Sequence, residues 1–197
     1  VMFFFAFFGA LFYARVFSVP WLGGASNNAM THEVLWPTFE AIWPLTQTPS
    51  GTVTEAMGWN GLPLINTIIL LISSVTCHFA HVGLEQNKRK QLKTMLTVTV
   101  LLGVVFLFLQ VEEYVYAYQE MGLMLSSGIY GNTFYLLTGF HGLHVTLGTI
   151  MLVIMLLRIV IKDHFTPENH FGFQATSWYW HFVDVVWVCL FIFVYIL

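Results

Sequence analysis

Polar side chains are scarce in this sequence, and those lying inside its long apolar runs are the ones equipped for chemistry. The block Trp178-Tyr179-Trp180-His181-Phe182-Val183-Asp184-Val185-Val186-Trp187 sets an imidazole and a carboxylate three residues apart, in an apolar run that continues to Leu197. At helical spacing the two share a face. A central Asp costs about 2.5–3.5 kcal/mol on insertion scales, so it normally faces a packed interior and has a partner. Two His-x-x-His pairs, His78/His81 and His141/His144, each put two imidazoles on one helical face and invite a metal or haem reading. The competing reading has each imidazole hydrogen-bonding a neighbouring helix. No carboxylate is expected within a helix turn of either pair, as a Glu-x-x-His di-iron site requires, so packing is favoured and no metal is assigned. Glu112 and Glu113 are candidates for a proton relay. The simpler expectation is that both reach the outer interface, Glu113 solvated and Glu112 hydrogen-bonded, because acids at helix ends need little compensation. Glu85 reads as a solvated neighbour of the nearby lysines.

The elements that position these groups are membrane helices. The 197 residues are 57% hydrophobic and only 9% charged, with far fewer charges than a soluble domain carries. Continuous apolar runs at roughly 1–17, 62–83, 94–116, 132–158 and 174–197 are long enough to cross a bilayer as helices. Unbroken rather than alternating hydrophobicity excludes a β-barrel. The fold class is therefore an all-α polytopic membrane protein, with five transmembrane helices in a single domain over 1–197. Residues 18–61 contain no Lys or Arg and read as a long outer loop whose Trp21, Trp36, Trp43 and Trp59 suit the interface belt. Cys77 and Cys189 both lie in apolar runs and read as small buried hydrophobes. No nucleotide-binding glycine pattern is present, and nothing points to nucleic acid. The chain opens on Val1-Met2-Phe3, already inside an apolar run, which suggests the later part of a longer chain.

Basic residues set the expected orientation. Lys88, Arg89, Lys90 and Lys93 follow the second helix, and Arg158 and Lys162 follow the fourth. By the positive-inside rule those loops are cytoplasmic or matrix-facing and the C-terminus lies outside. A rise of about 1.5 Å per residue then places His141 and His144 roughly 14–18 Å deep, and His181 and Asp184 roughly 10–15 Å from the other face. The matching depths predict a contact between His144 and the His181/Asp184 face, with Gly139, Gly142 and Gly148 allowing close helix approach.

Several blocks resemble a known family. Thr138-Gly139-Phe140-His141-Gly142-Leu143-His144-Val145, His170-Phe171-Gly172-Phe173 and the 178–187 block are similar to subunit III of cytochrome c oxidase, the haem-copper terminal oxidase. Val1 to Phe8, Ser73 to His81, Gln110-x-x-Glu113-Tyr114 and Tyr130 to Phe134 match as well. The resemblance covers nearly all of the chain outside 18–61, and the five helices look like helices three to seven of a seven-helix bundle.

The resemblance implies an accessory subunit without haem, copper or a catalytic centre of its own. Such a subunit packs on subunit I beside subunit II, holds phospholipid, and supports D-pathway proton uptake and durability in turnover. Haem and copper would sit in the partner subunits. Arg158, His164 and Lys162 are then the lipid-headgroup candidates, and His141, His144, His181 and Asp184 the buried polar pins. The expected location is a bacterial plasma membrane, or alternatively the mitochondrial inner membrane. Competing assignments are the equivalent subunit of a quinol oxidase or nitric oxide reductase, and an ion transporter using His144, His181 and Asp184. Against the transporter stands the absence of paired interrupted helices.

Overall fold

A computed structural model describes residues 2–45, 55–162 and 165–197, with Lys162 described by its backbone alone. All regular structure among them is helical: α1 (Met2–Tyr13), α2 (Val19–Leu22), α3 (Ala29–Leu35), α4 (Leu62–Glu85), α5 (Arg89–Gln119), α6 (Ile129–Lys162) and α7 (Phe171–Leu190). A π-helical segment, Ala14–Ser18, joins α1 to α2, and a second, Phe191–Ile196, extends α7. Among the described residues five helical stretches are long and apolar enough to cross a membrane: Met2–Leu22, Leu62–Glu85, Arg89–Gln119, Ile129–Ile161 and Phe171–Ile196. The protein is a multi-pass membrane protein.

The expected helices form, but most outrun their apolar cores. The first was expected to stop at residue 17 and instead continues to Leu22, so the connecting segment begins later than residue 18. The wide π turn lies just before Pro20, whose ring would crowd the carbonyl of Val16 in a regular helix. α5 was expected over 94–116 and has 31 residues, or about 46 Å of helix against a hydrocarbon core of about 30 Å. Its ends carry Arg89, Lys90 and Lys93 on one side and Tyr116, Tyr118 and Gln119 on the other, polar residues that continue a helix into the interface.

Two compact units are distinguishable, Val1–Gly58 with Tyr114–Gly139, and Trp59–Glu113 with Phe140–Leu197. In the first, Tyr114 Oη and Thr138 Oγ1 lie 2.7 Å apart, and Tyr135 donates to the Leu123 carbonyl at 2.7 Å. The early part of the segment between α1 and α4 is tied down by polar contacts. Buried Asn28 donates to the Trp21 carbonyl at 2.8 Å, and His32 Nδ1 lies 2.9 Å from the Leu22 carbonyl.

The second unit holds the polar residues singled out by sequence. Its core is built on Trp180 and Trp187, both fully enclosed, with Phe106, Phe173, Leu70 and Leu152 around them. α4 and α7 pack directly on one another. Large apolar side chains remain exposed on the same helices, including Leu71, Phe108, Ile154 and Val185. In a bilayer that face is solvated by lipid tails, so close packing and interhelical hydrogen bonds must hold the helices together.

Candidate functional site

The α4–α7 contact is a ladder of side-chain hydrogen bonds. Cys77 Sγ and Ser177 Oγ are 3.5 Å apart, and Trp180 Nε1–H donates to Ser73 Oγ at 3.0 Å. Ser74 Oγ and His181 Nδ1 are 2.7 Å apart, and Trp187 Nε1–H donates to Thr67 Oγ1 at 3.0 Å. The periodicity explains the arrangement. Residues 177, 180/181, 184 and 187 recur on one face of α7, as 67, 70, 73/74 and 77 do on α4. A buried indole N–H needs an acceptor, and small hydroxyl residues supply one while letting the helices approach.

Asp184 is buried and stands in this ladder between the Ser74 and Thr67 rungs, where α4 presents Leu70. The Ser74 hydroxyl stands beside the carboxylate as well as beside His181, and His181 Nδ1 lies 4.0 Å from Oδ2. An α4 hydroxyl, that of Ser74, thus meets the His181/Asp184 face, where the matching depths had pointed to His144 on α6. His144 Nδ1–H instead donates to the Phe140 carbonyl of its own helix at 2.7 Å, and its ring stacks on Tyr179 at 6.4 Å. Depth matched the two sets of residues; rotation of each helix about its axis assigned the neighbours.

His141 is fully enclosed on α6. Its Nε2–H donates to the Val183 carbonyl at 3.2 Å, and its ring packs against Trp187 at 4.9 Å and Phe106 at 5.8 Å. Of the three glycines expected to allow close approach, Gly148 does so here, and Gly103 joins it. A Cβ on Gly148 would meet Trp180 at 2.8 Å, as would one on Gly103 of α5, which sequence reading passed over. Around Gly142 the same atom would find nothing within 4 Å among the described residues, and at Gly139 the first neighbour, Tyr114 Oη, is at 3.5 Å.

The two acids of α5 exchange the roles expected of them. Glu113 is buried and accepts a 2.6 Å hydrogen bond from Tyr195 Oη, whereas Glu112 is exposed. The signal lay in periodicity: Glu113 follows Phe106 and Gln110 at helical spacing, and all three are buried. Proximity to the helix end outweighed phase in the sequence reading. Glu85 also departs from expectation. α4 runs on to include it, placing its Oε1 3.8 Å from His81 Nε2, so a carboxylate does share a turn with one His pair.

Of the lipid-headgroup candidates, Arg158 is exposed, with its guanidinium 5.1 Å above the Phe165 ring. His164 and the Lys162 side chain lie outside the described residues.

A family model described as Cytochrome c oxidase subunit III matches residues 1–197. The chain belongs to the cytochrome c oxidase subunit III family. A protein named Cytochrome c oxidase subunit 3 from Salmo salar is 43% identical over 195 residues, covering 99% of this chain and 64% of the relative. Proteins of the same name from Gadus morhua and Osphranter robustus are 43% and 42% identical over the same span. The chain therefore spans 64% of the length of these relatives. Within a subunit III chain, the Trp-Tyr-Trp-His-Phe-Val-Asp block is the α7 half of a hydrogen-bonded helix pair. The pairing of its α4 half, Thr67, Ser73, Ser74 and Cys77, with α7 was not read from sequence, because small polar residues in an apolar run do not name their partner.

Proposed function

We propose that this chain is a non-catalytic accessory subunit of a proton-pumping cytochrome c oxidase, in a bacterial plasma membrane or a mitochondrial inner membrane. It packs on subunit I, alongside subunit II, and the haem and copper belong to those partners. It binds phospholipid, with Arg158, Lys162 and His164 taking the headgroup phosphate, and it supports D-pathway proton uptake and durability in turnover. The observation that carries the reading is the match of the whole chain to the subunit III family. The α4–α7 ladder supports it, since Trp180, His181 and Trp187 are engaged in helix-to-helix hydrogen bonds. His141 and Asp184, which are buried, and His144 and His181, which are half-buried, act as polar pins that fix helix register. The basic loops face the cytoplasm or matrix, as the distribution of Lys and Arg requires.

The test is purification of the tagged chain in mild detergent, followed by visible spectroscopy and identification of its companions. The expected result is haem absorbance that travels with subunits I and II and leaves the chain when they are stripped away. Haem absorbance in the chain freed of every partner would overturn the accessory reading. Co-purification with the catalytic subunit of a quinol oxidase or nitric oxide reductase would move it to that complex.

A further inference from the structure

Away from the ladder, His81, Glu85 and His170 gather where the last turn of α4 meets the start of α7. One ligand atom from each lies within 4.8 Å of both others. His81 and Glu85 share a helical face at i, i+4, with His81 Nε2 3.8 Å from Glu85 Oε1. That is too long for a hydrogen bond. His81 Nε2 is enclosed and has no hydrogen-bond partner among the described residues. The third member arrives from the other element: His170 is the N-cap residue of α7, its ring edge-on to that of His81 with centroids 5.6 Å apart.

From this arrangement we infer a binding site for a divalent transition-metal cation, best suited to Zn2+, formed by His81, Glu85 and His170. Two imidazoles and a carboxylate are a preferred zinc donor set, and a water completes the tetrahedron. The outer contacts fit as well. His170 Nδ1 lies 3.2 Å from the Thr166 carbonyl, which can only accept. The proton is therefore on Nδ1 and the lone pair on Nε2, the tautomer that backbone carbonyls impose on metal-bound histidines. A tetrahedral site with bonds of about 2.0–2.1 Å needs its ligand atoms about 3.3 Å apart. Glu85 is largely exposed on the final helical turn, and rotation of its side chain can bring its carboxylate in. His170 also borders a groove of about 490 Å³ lined by Thr166, Glu168 and Asn169. Bound metal would staple the end of α4 to the beginning of α7, at the opposite end of the pair from the Trp187–Thr67 rung.

The experiment uses the full chain in detergent, stripped with a chelator, desalted, and titrated with Zn2+ alone by calorimetry. One tight equivalent is expected. Glu85→Gln and His170→Gln should each weaken it by about tenfold or more, while His78→Gln, at an exposed position, leaves it unchanged. X-ray absorption at the zinc edge should show only nitrogen and oxygen ligands near 2.0–2.1 Å. Helicity measured on each variant separates lost ligation from lost fold. Absence of a stoichiometric site in the parent chain, unchanged affinity in a folded Glu85→Gln variant, or sulfur in the metal shell would each overturn the assignment.

Discussion

Glu113 and Tyr195 illustrate what a single polar pair does in this unit. The Tyr195 hydroxyl donates to one carboxylate oxygen at 2.6 Å, and both residues are buried. Removing a donor from a buried acceptor leaves the desolvation cost without its compensation, about 1–3 kcal/mol. Tyr195→Phe should therefore lower the unfolding free energy of the detergent-solubilised chain by an amount in that range. Glu113→Gln keeps a carbonyl acceptor for the tyrosine and should lose less. A Tyr195→Phe variant as stable as the parent in a denaturant titration would show that Tyr195 acts through ring packing alone. This pair also marks where reading by position fails: Glu113 sits close to a helix end but in phase with Phe106 and Gln110.

Helices in a bilayer gain nothing from leaving lipid for another apolar surface, so their association depends on contact quality. Trp180 is the test of that quality here. It is fully enclosed, hydrogen-bonded to Ser73, and seated where only hydrogen fits on Gly103 and Gly148. Gly148→Val must displace the indole or part the helices, and overpacking of this kind costs about 1–3 kcal/mol. Gly142→Ala, directed at open space, should stay within about 0.5 kcal/mol of the parent. Thermal unfolding of the two variants side by side checks the contrast. Gly139, Gly142 and Gly148 of α6 look alike in sequence, and only the course of the neighbouring side chains separates them.

For the whole molecule the decisive residue is Asp184. Its carboxylate is enclosed in the helix pair with His181 at 4.0 Å, so its replacement acts on the scaffold that a partner subunit would meet. Asp184→Leu should cause severalfold loss of the chain from the purified oxidase, while electron transfer per intact complex changes little. Comparing subunit retention with turnover per haem distinguishes the two. Full retention with lost turnover would assign Asp184 to proton movement instead of assembly. Family membership was legible from the 138–145 and 178–187 blocks, because their order of aromatic, imidazole and carboxylate groups is rarely repeated by chance in an apolar chain. The polar contacts that make those blocks useful were legible only in part, since each depends on a second helix.

By itself the sequence determined that the chain is helical and crosses a membrane several times. It also determined that the 178–187 block must be packed. Transfer free energies add along a chain, and a carboxylate in hydrocarbon carries its cost wherever the helix lies. Only the tertiary structure decided which neighbour meets that block. Depth alone left both His144 and the α4 hydroxyls as candidates, and helix rotation brought Ser74 to His181. The rotation of α5 likewise buried Glu113 in place of Glu112, while the extension of α4 brought Glu85 to His81. Depth is a one-dimensional property that composition can report; azimuth exists only once helices pack.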